Sequence, residues 1–89
     1  MTTVKGWVSG KVQGVWFRKY LQTECLKLGL RGYARNLPDG RVEVLLWGAE
    51  EAVAKGKLAV ARGSPGSRVS DVLWQELHSE VDCQGFEVL

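Results

Sequence analysis

The sequence predicts an α+β sandwich in the order strand, helix, strand, strand, helix, strand, with an antiparallel sheet that carries both helices on one face. Three observations lead to it. Short runs rich in β-branched and aromatic residues alternate apolar with polar positions. Two longer segments repeat apolar residues at helical spacing. Glycine, at two junctions with proline, punctuates the boundaries between them. Two strand–helix–strand halves of this kind bury their apolar faces together when the helices lie side by side on the sheet.

The first strand is expected from about Val4 to Lys11, in a stretch carrying Trp7, Val8 and, just beyond, Val12. Gly10 and Gly14 mark the turn that follows. From Phe17, apolar residues recur at Phe17, Tyr20, Leu21, Cys25 and Leu28, one buried stripe of a helix, and Gly29 supplies its stop. A second strand runs from about Leu30 to Asn36 and meets "LPDG". Pro38 presets its backbone, Asp39 suits the next turn position and Gly40 tolerates positive φ, so a hairpin is predicted. The third strand, "RVEVLLWG", alternates at Val42, Val44 and Leu46 before Gly48.

"AEEAVAKGKLAVAR" reads as a second helix, with Glu50 and Glu51 at its positive end and Arg62 at its negative end. Gly56 is its weak point, because glycine inside a helix costs about 1 kcal/mol against alanine. "GSPGS" is a loop, "RVSDVLWQEL" a fourth strand and "GFEVL" a short terminal one. Trp7, Trp47 and Trp74 alternate with apolar neighbours and are expected in or beside the core. The order is that of a ferredoxin-like βαββαβ fold, read as a single domain over residues 1–89.

Composition narrows the function. Apolar residues make up 45% and charged residues 25% of the 89, as in an ordinary globular domain. The net charge of +2 is spread along the chain, which argues against a nucleic-acid arm or a basic membrane patch. No apolar run has the length of a signal core or a membrane span, so a cytoplasmic location is expected. The two cysteines, Cys25 and Cys83, form no C-x-x-C pair and stand in no His cluster, so no metal site is expected. Two reduced thiols are the expectation, with a Cys25–Cys83 disulfide as the alternative.

One stretch asks for chemistry. In "SGKVQGVWFRKY", Ser9 to Tyr20, a glycine turn feeds a helix and Arg18 falls in the first helical turn. That is the electropositive end, where a cation costs some tenths to about 1 kcal/mol unless an anion is near. A turn of this kind exposes main-chain N–H groups without internal partners, and glycine allows close approach. Arg18 could add a planar, permanently charged fork to an oxyanion held there. Equally, Arg18 could be solvated and the glycines could serve the turn alone. The phosphate-loop pattern G-x-x-x-x-G-K-[ST] is absent.

"GKVQGVWFR" resembles the G-x-V-Q-G-V-x-F-R signature of the acylphosphatase family. "GYARNLPDGRVEVLLWG", with Asn36, Asp39 and Gly40, is similar to that family's second signature, and "RGSP" and "GFEV" to its C-terminal half. The resemblance spans essentially the whole chain in the right order. It implies a small cytoplasmic hydrolase that cleaves the carboxyl–phosphate bond of acyl phosphates without metal or cofactor. It assigns phosphate binding to Arg18, orientation of the attacking water to Asn36, and the main-chain cradle to Gln13, Gly14, Val15, Trp16 and Phe17. Inorganic phosphate or sulfate would occupy the same site. Ala34 departs from the family's usual valine, and Gly56 from a usually bulky apolar residue, which puts local packing in question and not the site.

The remaining candidates read as structural. Asp39 sits in a common turn sequence. His78, the single histidine, has no partner in a motif. Cys25 lies on the buried helix stripe. Lys11, Lys19, Arg35 and Arg41 flank the turn and the hairpin and could raise the local positive potential, or be ordinary solvated charges. The Trp16 ring could flank an acyl group. Two other classes stand beside the hydrolase: a non-catalytic anion-binding module on the same fold, and an RNA-binding sheet. The second lacks the K/R-G-F/Y aromatic motif of RNA-recognition sheets. A monomer acting on a small molecule, with no nucleic-acid or membrane partner, is expected.

Overall fold

The computed structural model describes residues 1–78 and 84–89. Cys83 lies outside them. The elements follow in order: β1 (Thr2–Lys11), α1 (Phe17–Lys27), β2 (Arg31–Asn36), β3 (Val42–Gly48), α2 (Glu50–Arg62), β4 (Arg68–Leu77) and β5 (Phe86–Val88). They form one sheet in the order β4-β1-β3-β2-β5. The pairs β1–β3, β1–β4 and β2–β3 are antiparallel, whereas the short β5 joins β2 in parallel. The sandwich is thus the predicted ferredoxin-like one, with a mixed sheet because of its fifth strand.

Alternation decides which face is covered. Val4 and Val8 of β1 and Val42, Val44 and Leu46 of β3 form one buried cluster with Phe17, Leu21 and Cys25 of α1 and Val53 and Val60 of α2. Both helices therefore sit on that face. Tyr20 and Leu28, expected on the buried stripe of α1, are only half-buried, and the Tyr20 hydroxyl donates to the Ala59 carbonyl of α2 at 2.9 Å.

Three readings change. Gly10 belongs to β1 and not to the turn. The β1–β4 register shifts between Ser9 and Gly10, and a Cβ at Gly10 would stand 2.1 Å from the Arg68 carbonyl oxygen. Only glycine allows this bulge. Second, Trp74 packs on the core side above Gly6, but Trp7 and Trp47 are half-buried on the opposite face of the sheet. That face is partly closed by its own residues: Leu45 and Glu43 are buried, and the Glu43 carboxylate accepts from the Tyr33 hydroxyl at 2.8 Å and from Arg35 at 2.5 Å. Third, Gly56 is a packing requirement. A Cβ there would meet Leu30 Cδ1 at 2.6 Å and Leu46 Cδ1 at 3.1 Å, so α2 sits where it does because this position has no side chain.

Among the described residues, no helix is long and apolar enough to cross a membrane. Cys25 is a buried free thiol.

Candidate active site

The turn between β1 and α1 alternates inward and outward. Val12 and Phe17 are buried, and Val15 packs against the core. Gly14 takes φ +73 with open space around it, the positive φ that a tight turn asks of glycine. Trp16 also takes a left-handed backbone, φ 61 and ψ 19, the one non-glycine residue with positive φ among those described. Such a conformation costs a bulky L-residue on the order of 1–2 kcal/mol. It turns the indole outward, 82% exposed, between two neighbours that point in.

Contacts from distant parts of the chain hold this turn. Gln13 Nε2 donates to the Leu37 carbonyl at 2.9 Å and the Arg41 carbonyl at 3.0 Å, tying the turn to both arms of the β2–β3 hairpin. The Ser64 hydroxyl donates to the Val15 carbonyl at 3.4 Å, and Ser67 in turn donates to the Ser64 carbonyl at 2.9 Å. The turn's Gln13 side chain and Val15 carbonyl are thus engaged while its main-chain donors are not. Among the described residues, no main-chain N–H from Gln13 to Arg18 donates to a protein carbonyl or side chain. The first such bond of α1 runs from the Tyr20 N–H to the Trp16 carbonyl at 3.0 Å. These unbonded amides share the positive end of α1, whose first turn holds no acidic residue.

Arg18 stands beside them, and its Nη1 donates to the main-chain oxygen of Leu89. The Leu89 N–H donates to the Ala34 carbonyl of β2 at 2.9 Å. Arg18 is therefore oriented by the segment that follows β5, and its remaining donors are available to an anion. An open pocket of about 410 Å³ lies here, lined by Val12, Gly14, Trp16, Phe17, Arg18, Lys19 and Val88.

Asn36 ends β2, opposite Val42, at the same end of the sheet. It does not line the pocket, but the next residue, Leu37, is the one that receives Gln13. Its Oδ1 is buried without a hydrogen-bond partner among the described residues. An orphaned acceptor of this kind costs about 1–3 kcal/mol unless something fills it.

The flanking cations divide. Arg35 is paired with Glu43 and Arg41 with Asp39 at 2.7 Å, so neither faces the turn unengaged. Lys19 lines the pocket and donates to the Gln22 side chain at 2.9 Å; Lys11 is exposed. Asp39 accepts from the Arg41 main-chain N–H at 3.0 Å, and that bond, with the Arg41 guanidinium, holds its carboxyl below the usual range. It is a turn former. His78 is exposed at the end of β4. The described residues contain no cluster of three or more His, Cys, Asp or Glu side chains able to hold a metal ion. The pinning roles of Gln13 and Ser64 were not legible from spacing; Ser64 left only the trace of lying within "RGSP".

Fold and turn define a class: a small α+β domain with a bend of unbonded main-chain amides at one end of its sheet. The acylphosphatase family model matches residues 4–88. An acylphosphatase of Nitrosococcus oceani is 46% identical over 88 residues, covering 99% of this chain and 98% of that one. One from Hahella chejuensis is 44% identical over 85 residues, covering 96% and 90%. The crystal structure of the Bacillus subtilis acylphosphatase matches with a TM-score of 0.95 at 39% identity, covering 100% of this chain and 99% of that one. The chain belongs to the acylphosphatase family.

Proposed function

We propose that the chain hydrolyses the carboxyl–phosphate bond of small acyl phosphates to a carboxylate and inorganic phosphate, as a metal-free monomer. The unbonded amides from Gln13 to Arg18 at the positive end of α1 carry this reading. They are the donors that a phosphate's non-bridging oxygens require, on a turn whose scaffold engages the Gln13 side chain and the Val15 carbonyl but none of these amides. Arg18 adds a fixed positive charge to those oxygens.

The chemistry asks for little more. An acyl phosphate leaves as a carboxylate, already stable as an anion at neutral pH, so no strong general acid is needed. Transfer through a loose transition state is catalysed mainly by positioning and charge stabilisation. A water must stand in line with the breaking bond. Asn36, which ends β2 at the same end of the sheet as the turn, is the polar side chain we assign to orient that water. The water's proton passes to the substrate's own phosphate, so the step needs no protein base.

The test is turnover of benzoyl phosphate in the presence of chelator. Arg18→Gln and Asn36→Ala should fold as wild type by circular dichroism, and each should lose about 100-fold or more of turnover, the scale expected for removing one preorganised group. Phosphate binding without turnover in the wild-type chain would instead identify a non-catalytic anion module.

A further inference from the structure

Trp16 is more than a link in the turn. It is the only aromatic among the described exposed large apolar residues, and its left-handed backbone holds the ring outward at 82% exposure. Strained conformations persist where surrounding structure over-determines them, and they cluster at ligand sites. Here Gln13 and Ser64 anchor the turn on one side and the buried Phe17 on the other.

The ring forms a wall of the pocket that also holds Arg18. Phe17 and Val12 are buried, so the side chains open to this pocket are the apolar Trp16 and Val88 and the cationic Arg18 and Lys19. Among the described residues, no carboxylate lines it. A space lined by both cationic and apolar side chains suits an amphiphile: a phosphate joined to a flat apolar group. At about 410 Å³ it is large for acetyl phosphate and of the size that small organic ligands fill.

We infer that the acyl end of the substrate packs on the Trp16 indole, so that the chain selects acyl phosphates with an aromatic or planar apolar acyl group over acetyl phosphate. This deepens the hydrolase reading and rests on it for turnover, though not for binding. Binding the ring against Trp16 removes apolar area from water on both partners, and aromatic pairs add a contribution beyond area alone.

The experiment has two arms. In the first, kcat/KM is measured for benzoyl and acetyl phosphate in wild type, Trp16→Asn and Trp16→Phe. Asparagine tolerates a left-handed backbone, so that variant removes the ring and keeps the turn. The benzoyl-to-acetyl ratio should fall at least fivefold in Trp16→Asn, through KM for benzoyl phosphate, and return most of the way in Trp16→Phe. A ratio within twofold of wild type in Trp16→Asn overturns the inference. In the second arm, benzoylphosphonate and acetylphosphonate are titrated into the wild-type chain by calorimetry. Tighter binding of the benzoyl compound, by about tenfold, is expected; equal affinities overturn the inference. Failure to hydrolyse either phosphate sinks the hydrolase reading alone, because the titration still reads the acyl contact.

Discussion

Cys25 and Glu43 show how burial acts on single ionisable groups when partners differ. Burial pushes the Cys25 thiol up to about 12, with the neighbouring Glu24 charge adding to the effect. The thiol is therefore neutral at physiological pH and unreactive, since the thiolate is the nucleophile. Iodoacetamide at pH 8 should leave Cys25 unlabelled in the folded chain and label it in denaturant, as read by peptide mass spectrometry. Labelling at equal rates in both states would contradict its placement in the core. Glu43 is also buried, and burial alone would raise its carboxyl, but the Tyr33 hydroxyl, Arg35 and Lys5 outweigh that and hold it below its ordinary 4.5. The folded state thus binds this proton less readily than the unfolded chain. Its stabilising contribution is complete above the ordinary value and is lost as pH falls through the lower native one. Glu43→Gln should therefore flatten the acid limb of the stability curve, measured by urea denaturation from pH 7 to pH 3.

At the scale of elements, Gly56 sets helix propensity against packing. Alanine there would favour α2 by about 1 kcal/mol in isolation. Its methyl group would, however, be driven into Leu30 and Leu46, which are 1% and 0% exposed and have no solvent to move into. Overpacking of this kind costs about 1–3 kcal/mol. Gly56→Ala should therefore lower stability by about 1 kcal/mol net, a fall of about 4–8 °C in Tm for a domain of this size. A rise in Tm would show that the two leucines can repack.

For the molecule as a whole, the site depends on which distant segments the sheet brings to one end. Gln13 joins the first turn to the β2–β3 hairpin, and Leu89 joins α1 to the edge of β2. Gln13→Ala removes two bonds to carbonyls and leaves every proposed donor of the cradle in place. It should lower kcat for benzoyl phosphate by about 10- to 100-fold, since small misplacements of a positioned group cost rates on that scale. Its circular dichroism spectrum should match that of wild type. Unchanged turnover would mean that the turn keeps its shape without the hairpin.

The elements were legible because their information is local. A two-residue period marks strands such as Val42–Val44–Leu46, a helical stripe marks Phe17–Leu21–Cys25, and turn chemistry at Pro38, Asp39 and Gly40 sets the hairpin. Arg18 was legible as a candidate because a cation in the first turn of a helix is out of place without an anion. Asn36 was legible only through its motif, since asparagine at a strand end is an ordinary turn former. Tertiary structure alone decided that Gly10 is a bulge, that Trp7 and Trp47 lie away from the core, that Arg35 and Arg41 are occupied elsewhere, and that Gln13, Ser64 and Leu89 hold the site. Each of these rests on a pairing between segments far apart in the chain. A residue's own spacing records the face it presents, but its distant partner is chosen by strand order and register.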